Sequence, residues 1–105
     1  MLNDIKALVA RGDVVVSLHG FRELAADGIK FDEIVASVRL AIEIEAYPDY
    51  GKGPCVLVLQ TDLNGDAVHV LWGIAKGTSR PAVLVTAYRP ETERWSADFM
   101  RRKKP

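Results

Sequence analysis

The order of the hydrophobic patterns predicts an α+β fold in which N-terminal helices pack on a curved four-stranded antiparallel sheet. Apolar residues recur at helical spacing through the first forty positions, and strand-like apolar runs follow from residue 41. Asn64-Gly65 marks a hairpin between two of those runs. A run of helices followed by a run of strands is typical of α+β proteins, so these observations agree on the class.

Three helices are predicted before residue 41. The first ends near Gly12, and the second begins after Ser17, whose hydroxyl oxygen can accept a hydrogen bond from a free backbone N–H. Gly28 stands where a glycine often follows a helix, and Asp32 lies in the first turn of the third helix. The residues expected to face the core are Leu2, Ile5, Leu8 and Val9, then Leu18, Phe21, Leu24 and Ala25, then Ile34, Val35 and Val38.

Four strands are predicted after the helices, at about 41–47, 55–61, 66–75 and 82–88. In the first strand, alternation places Ile42 and Ile44 on one face and the glutamates beside them on the other. Asn64-Gly65 predicts a type I′ turn, because that turn needs a positive φ at both central residues. The valine run at 14–16 fits either a brief strand or an extended link.

Length and composition describe a single domain over residues 1–105, with 49% apolar residues to form a core. The 14 basic and 14 acidic residues cancel, so the overall charge does not favour nucleic acid. Removing the four basic residues at 101–104 leaves 10 basic against 14 acidic (14 − 4 = 10). We expect a solvated, frayed tail at 101–105, with an arm that contacts phosphate as the alternative.

The remaining composition excludes several classes of protein. Cys55 is the only cysteine, so no internal disulfide can form, which fits a reducing compartment. The sequence has no signal pattern and no apolar run near 18 residues, and we therefore expect a soluble cytoplasmic protein that does not bind membranes. Two histidines and one cysteine without a ligand-spacing motif predict neither a metal nor another cofactor.

Two groups of polar residues interrupt the apolar patterns. His19, Arg22 and Glu23 share one face of the second helix, where the helix dipole favours a neutral His19 that can act as a base. The alternative is a boundary histidine bonded to backbone. His69 lies in an otherwise apolar strand, on the same face as Gly73, which would leave space beside the imidazole; a buried structural histidine is the alternative.

The last strand ends in further polar and aromatic residues. Thr86 and Tyr88 alternate onto one face, together with Ala82 and Leu84. Arg89 follows at the strand end, where side chains can line a site or form an amphipathic edge. Trp95 can cap the sheet or stack on a nucleic-acid base.

Several of these segments carry a family resemblance. They are 17–24 (SLHGFREL), 28–34 (GIKFDEI), His69-Val70, and 86–90 (TAYRP) followed by Trp95. In this order and spacing they resemble a bacterial family of small domains of unknown function, grouped with the RelE and BrnT toxins of type II toxin–antitoxin systems. The resemblance implies helices on a curved antiparallel sheet, a cleft on the sheet's other face, an endoribonuclease activity, and a DNA-binding antitoxin as partner. The sequence departs from the family at Lys30, where relatives often carry a capping Ser or Thr, and it lacks a cluster of lysines and arginines on the sheet.

These observations give one leading hypothesis and two alternatives. The first is a metal-independent endoribonuclease in which the ribose 2′-OH attacks the phosphate. The residues assigned to it are His19 and His69 as base and acid, Arg22 and Arg89 on the phosphate, Tyr88 in positioning or proton transfer, and Thr86 and Trp95 in substrate binding. The second is a non-catalytic module whose apolar surface is covered by a partner protein or a second copy. The third is a nucleic-acid binder that uses the basic tail and Trp95 without cleaving.

Overall fold

The computed structural model describes residues 1–104 and confirms the α+β class. The helices are α1 (Leu2–Ala10), α2 (Leu18–Ala26) and α3 (Phe31–Ser37), followed by a 3₁₀ turn at Val38–Leu40. The strands are β1 (Val14–Val16), β2 (Ile42–Tyr47), β3 (Cys55–Thr61), β4 (Ala67–Gly73) and β5 (Ala82–Tyr88).

The sheet has five strands and is mixed, so the prediction of four antiparallel strands is wrong in this detail. The strand order is β1-β5-β4-β3-β2, and every neighbouring pair is antiparallel except β1 with β5, which is parallel. Val15 of β1 pairs with Val83 of β5, a partner 68 positions later in the chain (83 − 15). A three-residue valine run carries no local signal of such a distant partner, and therefore only its extended shape could be read from the sequence.

The helices cover one face of the sheet and bury the main core against it. The strand residues in this core include Val56, Val58, Val68, Val70, Trp72 and Leu84. Helix α1 contributes Ile5, Leu8 and Val9, and α3 with its 3₁₀ turn contributes Ile34 and Val38, as predicted. Gln60, buried on the same face, accepts a hydrogen bond from Trp72 Nε1 at 2.8 Å and donates to Ile34 O. We call the opposite side of the sheet the open face.

Helix α2 faces the sheet with a different side from the one predicted. Its N-cap is Ser17, as expected, with Oγ accepting from Gly20 N at 2.9 Å. Leu24 is buried, but Leu18 and Phe21 are 66% and 64% exposed. The reason is Gly20: a Cβ there would lie 2.7 Å from Leu84 O, so the helix backbone itself packs directly on β5. This close approach turns Leu18 and Phe21 outward.

Two β-bulges change which face several side chains occupy. In β2 the register shifts between Glu43 and Glu45, so Glu43 pairs with Val58 of the core face while Glu45 pairs with Leu57 of the open face. The predicted alternation, with both glutamates on one face, is therefore wrong. One extra residue in a strand moves every later side chain to the opposite face.

The bulge in β5 has a larger consequence. Trp72 pairs with Leu84 and Leu71 pairs with Thr86, which leaves Val85 as the extra residue. Ala82 and Leu84 consequently face the helices, whereas Thr86 and Tyr88 lie on the open face. The prediction that all four share a face is wrong. Without the bulge, Tyr88 would point into the helix-covered core.

The hairpin between β3 and β4 forms where Asn64-Gly65 predicted it, but with a longer loop at 62–66. Gly65 has a φ of 80°, and it is the one residue of this loop with a positive φ. A type I′ turn is therefore wrong. Instead, Asp62 Oδ1 accepts from the backbone N–H groups of Asn64 and Asp66 at 2.9 and 3.0 Å, which holds the wider loop.

The chain after β5 folds back over the open face. Trp95 and Arg102 form an antiparallel bridge, and Lys103 N donates to Arg94 O at 2.8 Å. Arg102 also pairs with Glu45. The frayed tail predicted at 101–105 does not describe Arg102 and Lys103, which have defined partners; Pro105 lies outside the described residues. We call residues 91–104 the C-terminal segment.

Candidate functional site

The open face carries a row of side chains, most of them polar or aromatic, that crosses four strands, β2 to β5. Because residues directly paired across strands share a face, the register identifies its members. They are Glu45 and Tyr47 on β2, Cys55 and Leu57 on β3, His69, Leu71 and Gly73 on β4, and Thr86 and Tyr88 on β5. The predicted strand residues His69, Thr86 and Tyr88 therefore do lie on one face.

His69 and Tyr88 form a hydrogen-bonded pair. They are directly opposite each other in the β4–β5 ladder, and Nδ1 of His69 lies 3.1 Å from the Tyr88 hydroxyl. The other ring nitrogen, Nε2, lies 2.8 Å from the carbonyl oxygen of Phe99. A carbonyl can only accept, so Nε2 carries the proton and Nδ1 accepts from the Tyr88 O–H in the neutral ring. Both nitrogens of His69 are satisfied.

The C-terminal segment seals His69 from solvent. His69 is 0% exposed, and the Trp95 ring stands edge-on to it, with centroids 4.4 Å apart and an interplanar angle of 90°. Burial lowers the pKa of His69, and the nearby positive charge of Arg102 acts in the same direction. The imidazole is therefore held neutral, a form that can accept the Tyr88 proton.

Tyr88 is only half-buried and provides the surface-facing end of the pair. Burial raises the pKa of its hydroxyl, so Tyr88 is protonated at neutral pH. Trp95 is 5% exposed, and its ring is covered by the Arg102 guanidinium carbon 4.9 Å from the centroid. The contacts of Trp95 are therefore those of a residue that caps the sheet.

Glu45, Tyr47 and Arg102 form a second polar group, which the sequence did not reveal. Arg102 Nη1 lies 2.5 Å from Glu45 Oε2. This hydrogen bond lowers the pKa of the Glu45 carboxyl, and a hydrogen bond from Tyr47 lowers it further by a smaller amount. Burial raises the pKa of Tyr47. Glu45 reaches Arg102 only because of the β2 bulge, and nothing in the sequence marks that bulge.

A cavity of about 720 Å³ opens beside Tyr88, between α2 and the C-terminal segment. We call it the Tyr88 cavity. Its residues are Tyr88 and Trp95, the cations Arg89, Arg94, Arg102, Lys103 and Lys104, and the acids Glu23, Asp27, Glu91 and Glu93. Several of these charges are already paired, since Arg102 binds Glu45 and Arg94 approaches Glu91 at 3.8 Å. In residues 1–104, Lys103 and Lys104 have no ion-pair partner, and their side chains are exposed.

Arg89, predicted to bind phosphate, is held by structural contacts. Its Nη1 lies 2.9 Å from Asp62 Oδ2, and its Nε donates to Asp27 O at 3.3 Å. Its backbone N–H donates to the Asp27 carboxylate. Arg89 therefore ties the end of β5 to α2 and to the β3–β4 loop.

His19 and Arg22 do not join His69 and Tyr88. Within residues 1–104, no hydrogen bond, ion pair or shared cavity links either of them to that pair. His19 lies on the solvent side of α2, with Nε2 3.9 Å from Glu23 Oε1, and Arg22 is exposed.

His19 instead lines a second cavity, of about 380 Å³, at the other end of β5. Gly73 forms part of its floor, and we call it the Gly73 cavity. The space predicted beside Gly73 therefore exists, but His69 does not line it. Its walls include Cys55, whose thiol is buried and has a raised pKa because of that burial.

No three side chains among His, Cys, Asp and Glu are gathered as metal ligands in the part of the chain that the structure describes. Within the same residues, no helix combines the length and the apolar character needed to cross a membrane.

The fold and the site define an α+β domain with a histidine–tyrosine pair on the open face of a mixed sheet. The chain belongs to the family described as "Domain of unknown function (DUF4258)", whose sequence model matches residues 16–89. The match includes His19, Arg22, His69, Tyr88 and Arg89, whereas Trp95 and Arg102 lie beyond it. A search of solved structures found no match.

Proposed function

We propose that this domain binds RNA at the Tyr88 cavity and cleaves it by attack of the ribose 2′-OH, as the toxin of a toxin–antitoxin pair. The observation that carries the proposal is the hydrogen bond between Tyr88 and the buried, neutral His69. It gives a half-buried hydroxyl a proton acceptor directly behind it. Nearby, Arg102, Lys103 and Lys104 supply positive charge for a phosphodiester.

In the proposed chemistry Tyr88 contacts the substrate, and the buried His69 supports Tyr88 from behind. Tyr88 touches the reacting groups: its oxygen takes the 2′-OH proton while its own proton passes to Nδ1 of His69. As the bond from the 2′-oxygen to phosphorus forms, the P–O5′ bond breaks, and the departing 5′-oxygen takes a proton from solvent water in the cavity. His69 then returns its proton to Tyr88, whose other proton is lost to water. The Phe99 carbonyl, already bonded to Nε2–H, stabilises the charge that forms on the ring. Arg102 leaves Glu45 to bind the phosphorane oxygens. His69 is thus a positioning and proton-holding residue, since the buried ring has no surface for substrate.

The proposed biological setting is a toxin–antitoxin pair. The likeness to RelE and BrnT toxins, and the DNA-binding antitoxin it implies, come from the sequence resemblance. A sheet face left free of helices, with a cavity at its Tyr88 end, supports that likeness. In this setting the antitoxin would hold the domain inactive until it is removed.

The test is RNA cleavage by the purified chain, free of any co-expressed partner, with EDTA present. The proposal predicts products with 2′,3′-cyclic phosphate and 5′-hydroxyl ends. His69→Ala should nearly abolish cleavage, a loss on the order of 10²–10⁴-fold. His19→Ala distinguishes the two histidines, because the proposal expects this variant to cleave RNA at the wild-type rate. Loss of cleavage in His19→Ala would show that His19 takes part in the reaction. Full cleavage by a folded His69→Ala variant would reject the proposal.

The second candidate is a non-catalytic module that binds a partner protein. The observation that favours it is the outward apolar side of α2, where Leu18 and Phe21 are 66% and 64% exposed. It predicts that Phe21→Glu abolishes binding to a small protein encoded next to this chain, while His69 variants alter stability only. A wild-type chain that cleaves no RNA but binds that protein would favour this module.

A non-cleaving nucleic-acid binder is a third outcome of the same experiments. It predicts RNA binding without cleavage, steeply weakened by salt and lost when residues 101–105 are deleted. Because Arg102 also covers Trp95, the deletion needs a thermal melt beside the binding assay.

A further inference from the structure

We infer that the Gly73 cavity is a binding site for a small carboxylic acid with a compact apolar body. This site is separate from the Tyr88 cavity, and the inference does not rest on the RNA chemistry proposed there. Three observations carry it: the shape of the cavity, the character of its walls, and the sign of the charges at its mouth.

The shape depends on two glycines. At Gly73 a Cβ would come within 3.3 Å of Val85 Cγ2 and 3.4 Å of Cys55 Cβ, so a side chain there would take up the floor of the cavity. At Gly53 (φ 133°) a Cβ would lie 2.2 Å from Ile74 O, and only glycine lets the 48–54 loop close against the end of β4. The resulting volume of about 380 Å³ is near the small end of known ligand pockets, about 300–1,000 Å³.

The walls of the cavity are apolar. They are formed by Pro54, Cys55, Ile74, Ala75, Val83 and Val85. The Cys55 thiol stays neutral because burial raises its pKa, so it adds no charge to the interior. Ser17 lines the wall as well, but its hydroxyl already donates to Val85 O and accepts from Gly20 N. The interior therefore favours an apolar ligand body.

The mouth of the cavity carries positive charge and no acid. Lys52, His19 and Tyr50 line it, and no Asp or Glu is among the lining residues. In residues 1–104 the side chains of Lys52 and Tyr50 have no hydrogen-bond or ion-pair partner, and Glu23, the weak partner of His19, lines the Tyr88 cavity instead. One permanent cation beside an apolar space suits a single carboxylate. A phosphate is less suited, because no arginine lines this mouth.

The experiment is an amide NMR titration of the whole chain with phenylacetate, its neutral isostere 2-phenylacetamide, and acetate. A ligand of about ten non-hydrogen atoms should bind at about millimolar Kd. We expect phenylacetate to shift the amides of Gly73, Ala75 and Val83, phenylacetamide to bind about threefold or more weakly, and acetate to bind negligibly. Equal binding of phenylacetate and phenylacetamide would overturn the inference, as would shifts that avoid this cavity.

Two variants and their controls complete the test. Lys52→Gln removes the charge and keeps most of the side chain, and it should weaken phenylacetate by about threefold to tenfold while leaving phenylacetamide unchanged. Lys76→Gln, on the neighbouring turn and outside the lining, should leave both unchanged. Ala75→Phe, in the wall of the cavity, should obstruct the binding space, whereas Ala36→Phe on α3 should not. Undiminished binding by both Lys52→Gln and Ala75→Phe would show that the acid binds elsewhere.

Discussion

The Tyr88 cavity and the Gly73 cavity lie at opposite ends of β5 and differ in how their polar groups are used. In the Tyr88 cavity most charges are committed: Arg102 binds Glu45, Arg89 binds Asp62, and both nitrogens of the nearby His69 are bonded. In the Gly73 cavity the walls are apolar, and the few polar groups at the mouth point to solvent. At the Tyr88 cavity, then, the polar side chains are held in place by one another. The Gly73 cavity instead has the apolar interior that is typical of a ligand pocket.

This difference follows from what covers each end of the sheet. The C-terminal segment lies over His69 and removes it from water, which makes each hydrogen bond there costly to lose. Within residues 1–104 no segment closes the Gly73 cavity, so the exposed side chains of Lys52 and His19 remain hydrated. Replacing a histidine or a cation should therefore change stability more at the covered end of the sheet than at the Gly73 cavity. Variants of the same residue type at the two ends can test this.

The largest expected contrast is between the two histidines. His69→Ala removes the partner of both the Phe99 carbonyl and the Tyr88 hydroxyl, and it leaves a hole beneath Trp95. We expect the free energy of unfolding to fall by about 2–4 kcal/mol. His19→Ala should change it by less than about 0.5 kcal/mol, because that side chain is exposed. Urea unfolding of both variants measures the contrast, and equal losses would contradict it.

The next contrast is in the pH dependence of stability. The pKa of His69 is lowered in the folded state, so below the unfolded value near 6.5 the unfolded chain binds a proton that the folded chain refuses. This contribution to stability is complete above that value and is lost as the pH falls below it, with a slope of up to about 1.4 kcal/mol per pH unit. The charged or titratable groups that face His69 are Tyr88, protonated throughout, and Arg102, charged throughout.

The measurement is urea unfolding between pH 7.5 and 5 for the wild type, His69→Gln and His19→Ala. The carboxyl groups of the protein contribute equally to the pH dependence of stability in all three chains. We expect His69→Gln to show the shallower loss of stability on acidification, and His19→Ala to follow the wild type. Parallel curves for the wild type and His69→Gln would show that His69 does not resist protonation.

The smallest contrast is between two exposed cations. Arg102→Gln breaks the pair with Glu45 and uncovers the Trp95 ring, and we expect a loss of about 1 kcal/mol, since both interactions are largely screened by solvent. Lys52→Gln has no partner to lose and should be neutral within about 0.5 kcal/mol. Thermal melts at low and high salt measure both, and the Arg102 effect should shrink as salt rises.

The helices and four of the strands could be predicted because their signals are local. β3 and β5 match the predicted ranges, since continuous apolar runs bounded by Gly, Pro and Asp residues define them. The parallel pairing of β1 depends on a partner that lies far along the chain. The outward turn of Leu18 and Phe21 had one sequence signal, Gly20, because a glycine inside a helix often allows close packing on a neighbour.

The site could be predicted only in part. His69 stood out as the one ionisable residue of an apolar strand, and Tyr88 as the polar end of another. The bulge at Val85 is what places Tyr88 on the same face as His69. Val85 lies in an apolar strand beside other aliphatic residues, and nothing in its side chain marks it as the position of a bulge. Glu45 depends on the bulge at Ile44 in the same way. Strict alternation cannot foresee such shifts, because they arise from how the sheet twists and packs.

In the proposed reaction Tyr88, supported by His69, contacts the reacting RNA. Tyr88→Phe tests it most directly, because it removes one hydroxyl and keeps the ring in place. Thr92→Val, which removes an exposed hydroxyl outside the Tyr88 cavity, is the matched control. We expect single-turnover RNA cleavage to slow by about 10²-fold in Tyr88→Phe and to stay at the wild-type rate in Thr92→Val. Cleavage at the wild-type rate by a folded Tyr88→Phe chain would show that the Tyr88 hydroxyl takes no part in the reaction.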